Sequence, residues 1–419
     1  MTMMTSKALY VYLQRPDNAE WVTVGRYTLG DDGVTGRFRY APHYLNAGLT
    51  WAIDPINLPL LEGINHIAPR YHGLHDVLRD TCPDSWGKML LQREHNLPAS
   101  THESVYLRLA KNGERWGALA VGTSKRPSVD HLKSPGLPQL VALSQELLAI
   151  NDRRPPINTH LRKRLMATSS LGGARPKATV QGDQEYWLVK PILPSDSVDI
   201  PLLEHVTQQW GSAAGLNCAP SVHEQVGDGL SVLRVLRFDR EGERRLMAIS
   251  AASLLGTEYP GGPLETARWS YPRLAEELKR IGAPPQDLLE LFNRMVFNAV
   301  VGNDDDHPRN HAAIYRPSEQ RWRLAPAFDV VPNPDEHPKS LVMQLSLGRF
   351  DISREAALAG AVRFGFDNPD VAAIHLDALL ARISSTFEKI AHQLPAMLKK
   401  LMQDRLRFNL QRLSAQGLR

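Results

Sequence analysis

The chain has 419 residues, of which 42% are hydrophobic and 22% charged. That is ordinary globular composition, with length enough for one large core or for two or three smaller ones. Its formal net charge is +4, from 49 basic and 45 acidic residues. Such an excess is too small to indicate nucleic-acid binding, although an isoelectric point near 9.0 leaves room for a local basic face. Two cysteines, Cys82 and Cys218, exclude a disulfide framework and sit in no metal-ligand spacing. Met1 to Lys7 lack an apolar signal core, and no apolar run is long enough to span a bilayer. The expectation is a cytoplasmic protein with reduced thiols and no membrane partner.

Residues 1–150 read as mixed structure. Ala8–Leu13, Trp21–Val24 and Gly36–Tyr40 are strand-like, and Asp32-Gly33 marks a turn between the last two. Leu74–Glu94 reads as helix interrupted at Pro83, Gly117–Gly122 as a strand, and Leu140–Ile150 as helix. A boundary is expected at Asn151–Pro156. Residues 151–249 then hold a short helix at Leu161–Ala167, a small-residue loop at Ser169–Lys177, and a hairpin of Ala178–Val180 with Tyr186–Lys190 around Gly182-Asp183. An amphipathic helix at Leu202–Ala214 precedes the strands Ser221–Val226 and Ser231–Phe238. A sheet with one helix suits a nucleotide-clamping region.

Residues 250–419 read as mostly helical. Leu288, Leu289, Phe292, Met295, Val296, Ala299 and Val300 recur at helical spacing and predict a core-facing stripe ending at Gly302. Asp304-Asp305-Asp306 then emerges at a helix C-terminus, where the helix dipole disfavours carboxylates. A locally unfavourable arrangement points to function. Val371–Leu413 is amphipathic helix with a break at Pro395.

Asp305 is followed five positions later by Asn310, and Asp329 follows two short apolar segments. Phosphoryl transfer needs such a set. One carboxylate faces the attacking hydroxyl, and an amide and a second carboxylate hold magnesium on the nucleotide phosphates. Asp305 is the candidate for the first role, Asn310 and Asp329 for the second. Lys190, at a strand end, would meet the α- and β-phosphates of ATP. In the Ser169–Lys177 loop, Gly172-Gly173 lets backbone amides approach phosphate, with Arg175 and Lys177 beside them. No Walker spacing follows these glycines, and Gly-x-Gly-x-x-Gly is absent. His307 and His311 have metal-like spacing, but Pro308 and the missing Glu exclude a zinc-hydrolase helix.

In this order the motifs closely resemble the HipA family of bacterial serine/threonine kinases, the toxin half of a toxin–antitoxin system. The resemblance covers essentially the whole chain. Ser170–Lys177 resembles the family's glycine-rich loop, and Trp187–Lys190 its nucleotide-lysine strand. Leu236–Arg240 is similar to its hinge, Asn303–Asn310 to its catalytic loop, and Ala325–Asp329 to its metal-binding segment. Asp80–Gly87 and Arg115–Leu119 resemble its N-terminal signatures. Pro308 and Arg309 depart from residues that are often small and lysine there, and Asp304 and Asp306 make the loop unusually acidic.

The resemblance implies an α+β, bilobal, protein-kinase-like fold with a mixed N-terminal lobe and a mostly helical C-terminal lobe. It implies ATP and Mg2+ as cofactors. ATP would be held by Ser170, Gly172, Gly173, Ala174 and Lys177 of the loop, by Lys190, by Leu236, Phe238 and Asp239 of the hinge, and by His307 and Asn310. It implies transfer to a serine or threonine of a protein substrate, in the best-known case glutamyl-tRNA synthetase, and autophosphorylation at Ser170. It also implies a helix-turn-helix antitoxin, HipB-like, with DNA reached indirectly through that complex. A small-molecule kinase, which can share the Asp-x-x-x-x-Asn element, and an inactive corepressor remain the alternatives.

Overall fold

The computed structural model describes residues 8–129, 134–166 and 173–414. It is an α+β structure made of two compact units. One takes in the chain up to Lys190 and adds Asp239–Glu258 and Ile314–Gln320; the other takes in Pro191–Phe238, Tyr259–Ala313 and the chain from Arg321 onward.

The first unit is built on an antiparallel sheet of β1 (Leu9–Gln14), β2 (Trp21–Leu29), β3 (Gly36–Tyr40), β4 (His66–Ile67) and β5 (Leu119–Gly122), in the order β4-β3-β2-β1-β5. Period-two alternation is clearest in β3. Phe38 and Tyr40 are buried, while Arg37 and Arg39 are exposed. Gly25 must be glycine, because a Cβ there would lie 2.4 Å from the Phe38 ring and 2.6 Å from the Arg39 carbonyl oxygen. β2 runs five residues beyond the expected Val24, since Arg26 and Tyr27 continue the ladder to β3. The helices Asp76–Asp80 and Ser85–His95 flank Pro83. The Asp84 carboxylate caps the second by accepting from the Gly87 amide. The hairpin Ala178–Gln181 with Tyr186–Pro191 forms as its Gly-Asp turn predicts.

In the second unit the helix Ile200–Ala213 packs on the paired strands Ser221–Val226 and Leu230–Leu236. The helix Pro285–Val301 is surrounded by Tyr271–Arg280, Pro369–Ile390 and Ala396–Leu413. A one-sided stripe is the expectation for Pro285–Val301, yet every residue from Leu291 to Val301 is buried. It is therefore a central helix, and its polar residues must find partners inside. Truncating Phe292 or Phe297, both at most 1% exposed, would cost about 3–5 kcal/mol. Among the described residues, no helix is long and apolar enough to cross a membrane.

Candidate active site

The acidic loop begins where the central helix stops. Gly302 takes a left-handed conformation (φ 71°), and its amide donates to the Asn298 carbonyl. A Cβ at this position would lie 3.3 Å from Arg405 Cδ and 3.4 Å from Pro338 Cδ, so the turn selects glycine twice over. The Asn303 side chain donates to Asn298 Oδ1 at 3.1 Å, and Asn298 Nδ2 donates to the Tyr271 hydroxyl at 2.8 Å. Tyr271 in turn donates to Asp306 Oδ2 at 2.7 Å, while Asp306 Oδ1 accepts the Val342 amide at 2.7 Å. Asn303, Asn298, Tyr271 and Asp306 are all buried. Burial pushes the Asp306 carboxyl up to about 7, against the pull of the Tyr271 hydroxyl and of the Val342 and Met343 amides.

This network turns Asp305 the other way. Asp306 is inside, while the Asp305 side chain is 76% exposed. Asn310 closes the loop, its Nδ2 donating to the Asp305 carbonyl at 2.7 Å and its backbone amide to the His307 carbonyl at 2.8 Å. Asp304 is held by Asn333 Nδ2 at 3.0 Å. The Asp305 carboxyl is pushed up to about 6 by desolvation and by the carboxylates of Asp329 and Asp304. Because its side chain is open to water, the desolvation part is weakened, and the two like charges are the cause we stand behind.

His307 is buried, with its ring stacked on Tyr259 at a centroid distance of 3.7 Å. Burial pulls its pKa down to about 4, against the opposing Asp329 carboxylate. The ring is therefore neutral at pH 7, and its 3.7 Å approach to Asp305 is not an ion pair. Its buried Nδ1 has no hydrogen-bond partner among the described residues.

Asp329 is positioned from below. The Ala327 amide donates to the Asn217 carbonyl and the Ala219 amide to the Ala327 carbonyl, each at 2.8 Å. Arg294 on the central helix donates to the carbonyls of Ala325 (2.6 Å) and Asn217 (3.2 Å). Asp287, in the first turn of that helix, accepts the Leu324 amide and the Arg323 guanidinium. With the segment leading into it pinned from Arg323 to Ala327, Asp329 sits at φ 53°, a left-handed conformation that aspartate tolerates better than most residues. Non-glycine residues held there concentrate at functional sites.

A family model, the HipA-like C-terminal domain, matches residues 169–396, more than half of the chain. The chain belongs to this family. A relative from Sinorhizobium fredii (strain NBRC 101917 / NGR234), named “Putative kinase Y4mE”, is 31% identical over 161 residues, which are 35% of this chain and 36% of the relative. The chain thus spans about a third of that relative's length. Among solved structures, the fold is similar to the Shewanella oneidensis MR-1 toxin–antitoxin system HipA, solved with HipB and its operator DNA. The TM-score is 0.71 at 17% identity, covering 97% of each chain. A HipA-like α+β fold follows for this family member.

The remaining predicted residues fall as follows. In the second unit, Leu236 donates its amide to the Pro220 carbonyl, and the Phe238 ring lies 5.2 Å from that of Phe328. In the first unit, Lys190 is the last residue but one of its strand, which runs on to Pro191, and is buried. Asp239 is buried, its carboxylate accepting from the Gly117 amide and from Arg240. Lys177 is 1% exposed, with its ammonium 3.1 Å from Asp84. Trp86 joins the same corner, its indole donating to the Lys177 carbonyl and its amide to the Gly173 carbonyl. Gly173 (φ 78°) and Ala174 are exposed. Ser170 and Gly172 lie outside the described residues. The Asp84–Gly87 signature thus clamps the end of the glycine-rich loop. Arg115 of the second signature is buried, donating to the carbonyls of Thr81, Leu107 and Ala110.

Sequence reasoning missed Tyr271, Asp287, Arg294 and Asn298 as positioning residues. A signal existed for two of them. Glu290, Arg294 and Asn298 recur every fourth position and place a polar row on an otherwise apolar helix.

Proposed function

We propose that this chain is an ATP-dependent serine/threonine protein kinase of the HipA toxin type. The observation that carries this reading is the closed Asp305–Asn310 loop. It holds Asp305 outward while Asp329, pinned at a left-handed position, raises the Asp305 pKa. Asp305 orients the acceptor hydroxyl and takes its proton, for which a carboxyl poised near neutrality is suited. Asn310 Oδ1 and the Asp329 carboxylate would hold magnesium. The donor set fits the ion: hard oxygens, with like charges that a cation relieves. Magnesium-ATP, when bound, supplies the phosphoryl group and neutralises its charge.

Lys190 meets the α- and β-phosphates, with Gly172, Gly173 and Ala174 offering backbone amides and Leu236, Phe238 and Asp239 flanking adenine. His307, neutral and stacked on Tyr259, is a further nucleotide-binding candidate on the same loop as Asn310. Ser170 is the autophosphorylation site, because a phosphate there repels the phosphates that the loop holds. The acceptor is a protein, with an aminoacyl-tRNA synthetase as the candidate class, and the partner is a helix-turn-helix antitoxin through which DNA is reached.

The test is labelled ATP with magnesium, offered with protein and alcohol acceptors, for wild type and Asp305→Ala. Protein labelling lost in Asp305→Ala, with nucleotide binding kept by calorimetry, is expected. Transfer only to alcohols, or unaltered transfer by Asp305→Ala, overturns the reading.

A further inference from the structure

The sheet of the first unit turns one face to its core and the other outward. On the outer face, register aligns two rows across the strands. Tyr10 of β1 lies opposite Arg26 of β2, and Arg26 lies opposite Arg39 of β3. Two residues along, Thr28 lies opposite Arg37. The three arginines are exposed. Side chains directly opposite on adjacent strands have their Cβ atoms about 5 Å apart, and like charges in that position destabilise a sheet. Arg26 and Arg39 have no carboxylate partner among the described residues; Asp32, in the β2–β3 turn, lies near Arg37 and is held by Thr35 and the Val34 amide. A fold that places two arginines face to face gains from an anion between them.

These side chains open onto a cavity of about 540 Å³. Lys125 and His43 add further positive or donor groups, and Asn65 an amide, while no lining residue is acidic. Lys125 is fixed by the Thr23 hydroxyl, which donates to its carbonyl at 2.6 Å. The net charge of +4 conceals this cluster, because its members come from β2, β3 and the segment after β5 and meet only through strand pairing.

We propose that this groove binds a single strand of nucleic acid. Arg37 and Arg39, two residues apart on one strand, are about 6.6 Å apart along it, so their planar forks can engage successive phosphates. Half-buried Tyr10 sits in the same row as Arg26 and offers a ring beside the cations, the pairing by which single strands stack their bases. A duplex presents no free base face for such a ring to stack on. This site is independent of the kinase reading and is tested in the Asp305→Ala background as well as in wild type.

The measurement is fluorescence anisotropy of labelled 12-nucleotide single-stranded DNA and RNA across a salt series, with thermal unfolding as a folding control. Wild type should bind, with affinity falling linearly in log salt. Arg26→Gln/Arg39→Gln should weaken binding at least tenfold and reduce the slope by about 0.7 for each phosphate that is no longer neutralised. Its unfolding temperature should be unchanged or higher, because a like-charge pair is removed. Arg37→Gln/Lys125→Gln, at other positions of the groove, should weaken binding too and serves if the first variant misfolds. Absent binding, binding unaltered by both variants, equal affinity for duplex, or displacement by a polyglutamate peptide as effective as by unlabelled oligonucleotide each overturns the proposal.

Discussion

The Asn310 side chain donates to the backbone carbonyl of Asp305 at 2.7 Å, so the two ends of the Asp-x-x-x-x-Asn element are tied to each other. The amide nitrogen holds the loop, which leaves the amide oxygen for the proposed magnesium. Asn310→Asp exchanges the donor for an acceptor facing the carbonyl. It should reduce kcat by at least about tenfold to a hundredfold, the range of lost metal-site support, and cost about 1–3 kcal/mol of stability. Steady-state kinetics and urea unfolding check this; a variant normal in both would show that the contact is incidental.

The acid limb of the pH–rate profile should report Asp305. In the proposed mechanism ionised Asp305 is the active form, and its carboxyl is pushed up to about 6, so kcat/KM should fall as pH drops through that value. Asp304→Asn removes one like charge and can keep its contact with Asn333. The midpoint should therefore move to lower pH. An unmoved or higher midpoint would mean that the neighbouring charge does not set the titration.

Asp306 should leave a mark on stability rather than on chemistry. Its folded pKa is raised to about 7, above the unfolded carboxyl value of about 4. The folded state thus binds the extra proton between those values. The stability contribution is complete below about pH 4 and is lost as pH rises through 7. Asp306→Asn cannot titrate, so the stability advantage of wild type over this variant should be larger at pH 5 than at pH 8. Urea denaturation at both values measures it, and a constant difference would refute the assignment.

Lys177 and Asp84 form a buried ion pair at 3.1 Å, with 1% and 8% of their side chains exposed. Asp84→Ala should destabilise by about 3–5 kcal/mol, because the lysine charge stays buried without its partner. Adding Lys177→Met should restore most of that loss, leaving a deficit of about 1 kcal/mol for the missing helix cap. Thermal unfolding of the single and double variants decides; additive losses would exclude the pairing energy.

Much was legible along the chain because the signals are local. The turn at Asp32-Gly33, the break at Pro83, the hairpin at Gly182-Asp183 and the helix stop at Gly302 each follow from one or two residues with a narrow choice of backbone geometry. The order of Asp305, Asn310 and Asp329 could be read in the same way. Burial was harder. Leu291–Val301 reads as a one-sided stripe, but helices packed on the remaining faces enclose it, and those neighbours come from more than sixty residues downstream as well as from upstream.

Residue type and spacing alone therefore nominated the candidates for the proposed chemistry: which carboxylates, which amide, which lysine. Tertiary structure decided which of three adjacent aspartates faces outward. Asp306 is drawn inside by Tyr271 and the Val342 amide, and Asp305 is left outside with its pKa raised by Asp329. Pairing across β1, β2 and β3 likewise gathered arginines whose charge is diluted along the chain. The physical reason is the same in both cases: desolvation and Coulomb interaction depend on distance through space, which position in the chain does not specify.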